Sequence, residues 1–219
     1  MYFFVFDRHQ ISKMIEALKS SRFFFIIPEK GQKTSQRPYR QLADFASELG
    51  LEVYMIDVRW KKHNSLLECG LEATKKIHEI VDELHPTEIN IFGFGIGAML
   101  AAQIGYIFRA DSIILCSMPL LFNEELSQFS RFKRYFLKRR IYQGRNKPSY
   151  PSRKISSNAI LIYAEKERRK LEKVKNTRNA AFENATDIFV AKSAVSLRSK
   201  KYFEIVLSET TKMISNSTK

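Results

Sequence analysis

Cysteine and histidine are both scarce in this sequence, and their scarcity excludes several kinds of site. The two cysteines among 219 residues, Cys69 and Cys116, are too few for a disulfide framework or a cysteine-rich zinc site. All four histidines lie within the first 85 residues: His9, His63, His78 and His85. His63 and His78 lie in different segments from any pair of acids with ligand spacing, so we expect no metal site.

Long hydrophobic runs are also missing. The longest, at 2–6, 23–27 and 113–116, have the length of strands and fall far below the ~20 residues that a membrane-spanning helix needs. The first residues lack the basic start and the apolar stretch of ~7 to 15 residues that mark a secretory signal. We therefore expect a cytoplasmic protein without a transmembrane segment.

The overall composition is that of a folded chain with an excess of positive charge. Hydrophobic residues make up 44% and charged residues 27%, which suits one compact domain over 1–219. The 37 lysines and arginines exceed the 23 acids, giving a formal net charge of +14. An excess of this size favours an anionic partner.

Short apolar runs alternate with segments of helical periodicity along the whole chain. Strands are predicted at 2–6, 23–27, 51–57, 88–92, 112–117, 159–164 and 187–191. Helices are predicted at 9–20, 37–49, 64–84, 96–108, 166–184 and 199–215. Repeated βα units with continuously apolar strands predict an α/β fold, a doubly wound and mostly parallel sheet with helices on both faces.

One interval, 118–158, is too long for a simple crossover and is predicted to be an inserted lid. Residues 126–164 contain ten basic residues and no acid. Apolar side chains at 122, 126, 129, 132 and 136 share one helical face. The candidate binding residues are the cations around that face: Arg131, Lys133, Arg134, Lys138, Arg139, Arg140, Arg145 and Lys147.

Two interpretations of this basic segment stay open. In one, the lid helix packs its aromatic residues over the sheet and solvates its cations. In the other, the cations bind an anionic macromolecule, which is a nucleic acid, an acidic protein or an anionic lipid surface. The absence of acids after Glu125 favours the second, because ordinary solvated helices mix charges of both signs.

Three glycines follow the strand predicted at 88–92, in the order Gly93, Gly95 and Gly97, and a helix follows them. The spacing matches the dinucleotide-binding pattern G-x-G-x-x-A, but it falls on the fourth predicted strand instead of the first. The next strand ends in Cys116 and Ser117, with no acid to hold a ribose. We therefore expect no nucleotide and no other cofactor.

The same glycines resemble the nucleophile elbow G-x-S-x-G of the α/β-hydrolase superfamily. Further segments are similar to that family in order and spacing. They are 23–31 before the oxyanion loop, 51–59 with its Asp-x-Arg ending, 159–167 before the catalytic acid, and 187–197 before the histidine loop. The resemblance implies the α/β-hydrolase fold, with a lid after the strand at 112–117.

The resemblance also shows what this chain lacks. Gly95 takes the position of the nucleophilic serine, and residues 190–197 contain no histidine. Glu167 takes the position of the acid, so Gly95 and Glu167 form a vestigial catalytic set. A glycine also relieves the backbone strain of an elbow. The sequence thus predicts a pseudoenzyme that binds an anionic partner or a small ligand.

An enzyme is the alternative hypothesis. It would be a divergent esterase or thioesterase whose nucleophile lies outside the elbow, at Cys116 or Ser117. A thiol in a central strand is more often part of the core than reactive, because reactive cysteines need an electropositive and partly exposed setting. A structural subunit of a larger assembly is a third hypothesis.

Overall fold

The computed structural model describes residues 21–60, 66–119, 155–173, 181–194 and 196–216. Within these ranges one sheet of six strands is present, and every neighbouring pair is parallel. The strands are β1 (Arg22–Ile27), β2 (Glu52–Met55), β3 (Glu88–Phe94), β4 (Ser112–Cys116), β5 (Ile155–Ala164) and β6 (Phe182–Val190).

Five helices accompany the sheet in the described part of the chain. They are α1 (Arg37–Glu48), α2 (Leu66–Leu84), α3 (Ile96–Phe108), α4 (Arg168–Lys173) and α5 (Lys200–Asn216). A short 3₁₀ turn, Glu165–Glu167, precedes α4. None of these helices is both long and apolar enough to cross a membrane.

The strands lie in the order β2-β1-β3-β4-β5-β6. The chain therefore moves outward from β1 to β2 and then returns to the other side of β1 with β3. Such a reversal creates a crevice at the carboxyl ends of the two strands, which is where ligands of open α/β sheets bind.

Both faces of the sheet are covered, as a doubly wound fold requires. Along β1 the alternate side chains of Phe23, Phe25 and Ile27 join a core under α2 and α3, and those of Phe24 and Ile26 join a second core under α1 and α5. All five are fully buried. Continuous burial explains why this strand is an unbroken apolar run, and it confirms the predicted fold class.

The structure corrects two boundaries at the far edge of the sheet. β5 begins at Ile155, inside the lid predicted for 118–158, because Ile155 is buried and pairs with Phe182 of β6. β6 begins at Phe182, although a helix was predicted to continue to 184 and the strand to begin at 187. β6 is an edge strand and exposes most of its first half. Its exposed polar residues form no apolar run, so the sequence pattern does not indicate where the strand begins.

Some predicted elements lie wholly or mostly outside the described residues. They include the strand at 2–6, the helix at 9–20 and the lid residues from 120 to 154.

Candidate functional site

The crevice between β1 and β3 brings together two short segments that are far apart in sequence. Pro28 and Glu29 follow β1 directly, and Gly95 follows β3 and precedes α3. The two strands are paired in register up to Ile27 and Gly93. Parallel pairing therefore places Glu29 and Gly95 at the same edge of the sheet.

Gly95 forms a tight turn between β3 and α3. Its φ of 57° and ψ of −124° lie in a region that side chains rarely adopt, and its amide donates a hydrogen bond of 2.8 Å to the carbonyl of Cys116. Gly97 lets the turn pack against the end of β1, since a Cβ there would lie 2.6 Å from the carbonyl oxygen of Ile27. The turn thus has a conformation that would strain a residue with a side chain and that glycine adopts without strain.

The carboxylate of Glu29 fills the space above this turn. A Cβ built on Gly95 would overlap its Oε2 and Cδ atoms and would lie 2.8 Å from Oε1. No larger residue can occupy position 95 while Glu29 keeps this conformation. The sequence predicted that glycine relieves strain at the turn, and the structure adds that glycine leaves room for Glu29.

Two backbone amides from different segments meet at one oxygen of Glu29. The amide of Lys30 donates to Oε1 over 2.9 Å, and the amide of Ile96, the first residue of α3, donates to the same atom over 3.3 Å. Amides at the beginning of a helix have no partner within the helix, and they favour a negatively charged acceptor. The Glu29 carboxylate supplies that acceptor from 67 residues away.

The segment that carries Glu29 is fixed by neighbouring side chains. The buried Tyr39 hydroxyl accepts a hydrogen bond from the Glu29 amide over 3.0 Å and donates to Oε1 of Gln32 over 2.6 Å. Further along the loop, both the amide and the hydroxyl of Thr34 donate to the carboxylate of Asp57. The loop is therefore held at both ends.

Burial raises the pKa of the Glu29 carboxyl above its ordinary value near 4.5. The two amide hydrogen bonds and the charge of Lys30 act in the opposite direction but do not cancel the effect of burial. The side chain is half-buried. Glu29 therefore accepts protons more readily than a solvated glutamate does.

Solved structures that resemble this chain include the ferulic acid complex of Est1E from Butyrivibrio proteoclasticus, with a TM-score of 0.63 at 11% identity over 90% of this chain and 89% of that one. Alpha/beta hydrolase domain-containing protein 10 from mouse gives 0.64 at 10% identity, over 90% and 91%. An alpha-beta serine hydrolase homologue from Coxiella burnetii gives 0.60 at 15% identity, over 90% and 85%. The chain has the α/β-hydrolase fold. A scan against protein-family models and a sequence search of curated proteins gave no match.

The two amides at Glu29 can be compared with a pair of amides in active α/β hydrolases. In active members an oxyanion hole consists of the amide after the nucleophile and an amide from the loop that here follows β1. Ile96 and Lys30 occupy these positions. In this chain both amides donate to the carboxylate of Glu29.

Glu167, predicted as the vestigial acid, is the last residue of the 3₁₀ turn that follows β5. It is half-buried, and its Oε2 accepts a hydrogen bond of 3.2 Å from the amide of Ala164. It thus caps the turn that leads into α4. No histidine follows residue 85 in the sequence, so this acid has none to orient on the loop after β6.

The two alternative nucleophiles, Cys116 and Ser117, are both buried beside the elbow. Burial raises the pKa of the Cys116 thiol far above its ordinary range. The Ser117 hydroxyl donates over 2.8 Å to the hydroxyl of Tyr202, which itself donates to the carbonyl of Ile162 over 2.7 Å. Neither side chain contacts a described imidazole, because His78 and His85 are exposed on or beyond α2.

The predicted binding residues of the lid, from Arg131 to Lys147, lie outside the described residues. The described residues also contain no group of three histidine, cysteine, aspartate or glutamate side chains that could hold a metal ion.

Glu29 is not among the site residues predicted from the sequence. It lies within the segment 23–31, whose resemblance to the strand and glycine before the oxyanion loop does not depend on the acid. Since that loop borders the crevice where the strand order reverses, an ionisable residue there was the available signal.

Proposed function

We propose that this chain is a non-catalytic protein with the α/β-hydrolase fold, a pseudoenzyme that acts by binding. One observation carries the proposal: position 95 is a glycine whose Cβ space and oxyanion-hole amides are taken by Glu29. Acyl transfer in this fold needs a nucleophile at that position and an empty hole for the developing oxyanion. Glu29 fills the space of a nucleophilic side chain and occupies the two amides of the hole.

The other requirements for hydrolysis are also unmet in the sequence. A serine nucleophile needs an imidazole to accept its proton, and the loop after β6 contains none. Removal of one triad member alone typically lowers the rate by several orders of magnitude. Loss of the serine and the histidine together supports a role without turnover.

The alternative of a divergent esterase or thioesterase depends on Cys116 or Ser117. Cys116 is fully buried in β4, and the Ser117 hydroxyl is engaged with Tyr202 in the core. A nucleophile must be reachable by the acyl carbon, and a reactive thiol needs a lowered pKa, opposite to the shift of Cys116. The geometry therefore favours binding over hydrolysis.

Hydrolysis assays test the proposal directly. The purified full chain is incubated with p-nitrophenyl acetate, p-nitrophenyl butyrate and an acyl thioester, and separately with a fluorophosphonate probe for activated serines. We expect rates equal to those of the heat-denatured chain and no labelling by the probe. Turnover that disappears in Cys116→Ala or Ser117→Ala would instead establish the acyl hydrolase.

The binding partner that we propose is an anionic macromolecule. The support comes from the segment 126–164, with ten cations and no acid. Electrostatic binding of this kind weakens as salt screens the charges.

A groove within the described residues adds a second basic surface. It lies between the first turns of α1 and α5 and has a volume of about 780 Å³. Arg37, Arg198 and Lys200 line it together with one acid, Glu204. Lys200 and Glu204 form a loose ion pair of 3.9 Å. Arg37 and Arg198 are the other cations that line the groove.

Two charge-reversal variants distinguish these surfaces. Lys133→Glu/Arg134→Glu/Lys138→Glu changes the predicted lid, and Arg37→Glu/Arg198→Glu changes the groove. On an immobilised heparin column we expect the lid variant to elute at a clearly lower salt concentration than the wild type, with a smaller change for the groove variant. Equal elution of the lid variant and the wild type would reject the lid as the binding surface.

A further inference from the structure

We propose that a polar groove in the amino-terminal halves of β4, β5 and β6 binds a neutral polyhydroxylated ligand of the size of a mono- or disaccharide. The groove has a volume of about 660 Å³, within the range of small-molecule sites. Glu29 and Gly95 follow the carboxyl ends of their strands, at the opposite edge of the sheet. The inference therefore goes beyond the proposed function and does not depend on it.

Three side chains in direct register form the floor of this groove. Ser112 of β4 is paired with Asn158 of β5, and Asn158 is paired with Asn184 of β6. Paired residues of neighbouring parallel strands share one face of the sheet and lie about 4.8 Å apart. Thr186, two residues further along β6, adds a second hydroxyl on the same face. Three strands thus present hydroxyl and amide groups side by side.

The same row of polar side chains continues into the interior of the protein. Asn90 of β3 is paired with Ser112, and these two residues are only 0% and 1% exposed. The Oδ1 atom of Asn90 is buried without a hydrogen-bond partner in the described part of the chain. Solvation of the sheet edge explains exposed polar residues but not buried ones, which lower stability when they lack a partner. A local cost of this kind is typical of functional positions.

The exposed end of the row has free hydrogen-bonding capacity. The side chains of Asn158, Asn184 and Thr186 are exposed and form no hydrogen bond with described residues. A carboxamide offers one acceptor and two donors, and a hydroxyl offers both kinds of group. A ligand with several hydroxyls donates and accepts in the same way. Ile160 and Met213 add apolar surface against which the C–H groups of a sugar ring can pack.

The charges around the groove disfavour an anionic ligand. Lys212 is the one cation among the described lining residues, and its Nζ donates to Oε1 of Glu209 over 2.6 Å. Glu183 also lines the groove and is exposed. An anion would therefore meet two carboxylates and no unpaired cation. The ligand of this groove differs in charge from the partner that we propose for the basic surfaces.

Nuclear magnetic resonance of the ¹⁵N-labelled full chain tests the inference. The chain is titrated separately with D-glucose, maltose and myo-inositol, and at equal ionic strength with inorganic phosphate and spermidine as charged probes. The side-chain amide signals of Asn158 and Asn184 locate the binding. Asn158→Ala and Asn184→Ala assign these signals, because each variant loses one pair of them.

We expect at least one of the three polyols to shift both pairs of signals with a single saturable midpoint. Asn158→Ala/Asn184→Ala should weaken that binding about tenfold to a hundredfold, because two hydrogen-bonding side chains are lost. Binding to this variant is followed through the backbone amide signals of Ala159 and Ala185, which also line the groove. The matched control is Ser208→Ala, at an exposed position of α5 next to Glu209 but outside the groove, which should leave the Kd unchanged.

Three results would each overturn the inference. They are the absence of shifts with all three polyols, equal affinity of the double variant and the wild type, and shifts with phosphate or spermidine as large as those with the polyols. Asn184→Ser, on the exposed edge strand, replaces the double variant if circular dichroism shows that the latter does not fold. None of these results changes the outcome expected from the hydrolysis assays, so the two proposals fail separately.

Discussion

The Glu29 carboxylate lies where a Cβ of residue 95 would be, so a side chain at position 95 and the present conformation of Glu29 exclude each other. Two residues on separate segments are thereby linked. Glycine at position 95 provides the space, and the glutamate provides an acceptor for the amides of Lys30 and Ile96.

This linkage predicts an energetic coupling between positions 29 and 95. We expect Gly95→Ala to lower the free energy of unfolding by more than the ~1–3 kcal/mol of backbone strain alone, because the new Cβ displaces Glu29. In a Glu29→Ala background only the strain remains, so the penalty should fall by ~0.5–3 kcal/mol. Urea unfolding of the four chains measures this double-mutant cycle.

Gly50→Ala is the control for that cycle. Gly50 also has a positive φ, of 78°, but the nearest heavy atom to its added Cβ, on Arg22, is 3.6 Å away. Its penalty should be the same with and without Glu29. If the penalty of Gly95→Ala is also the same with and without Glu29, the overlap with Glu29 does not contribute to stability.

The raised pKa of Glu29 predicts a pH dependence of stability. An acid with a higher pKa in the folded state binds more protons when folded than when unfolded, so stability falls as pH rises from about 4.5 through the folded pKa. Glu29→Gln keeps the shape of the side chain and removes this titration. We expect the wild type to lose stability relative to Glu29→Gln over this window.

Parallel urea titrations between pH 4 and pH 7 measure the difference between the two chains. A difference that is flat with pH, or one that favours the wild type as pH rises, would show that burial does not dominate at Glu29.

The contacts of Tyr202, which packs against Phe94 at the end of β3, predict a stabilising role for its hydroxyl. Its hydroxyl is buried between the Ser117 hydroxyl and the Ile162 carbonyl. We expect Tyr202→Phe to cost about 1–3 kcal/mol, because Ser117 is left without its buried acceptor. Ser117→Ala should cost less, about 0.5–1.5 kcal/mol, since Tyr202 keeps its bond to Ile162.

Calorimetry or urea unfolding of the two variants gives the comparison. A larger loss for Ser117→Ala than for Tyr202→Phe would contradict this order. It would indicate that the serine hydroxyl has a further role.

The burial of both thiols predicts that they are inert in the native state. Cys69 and Cys116 are buried, and burial raises the pKa of each. We expect almost no reaction with Ellman's reagent at pH 8 in buffer and two thiols per chain in urea. Cys69→Ala assigns the remaining signal to Cys116, and fast native labelling of that variant would reopen the hypothesis of a cysteine nucleophile.

Most of the α/β layout was predictable from the sequence, because the central strands are buried on both faces. β1 and β4 contain the continuous apolar runs 23–27 and 113–116, and α1 and α3 begin where the pattern indicates. β6 was missed at its start for the opposite reason: an edge strand with exposed polar residues has no such pattern. Strands that are buried on both faces are therefore the elements that an apolar sequence pattern predicts best.

In the candidate site, too, some residues were predictable from the sequence and one was not. Gly95 and Glu167 were predicted as vestigial positions, and both lie at the ends of strands that the pattern locates well. The role of Glu29 depends on a contact across 67 residues, which exists only because β1 and β3 are neighbours. Local patterns contain no such information, whereas the strand order does.

The turn at Gly95 restricts what one substitution can achieve there. With a φ of 57° and a ψ of −124°, Gly95 adopts a backbone conformation that residues with a side chain rarely adopt. A serine placed there would meet the Glu29 carboxylate, and the loop after β6 contains no histidine to accept its proton. A triad at this turn would therefore require three changes together, at position 95, at position 29 and in the loop after β6.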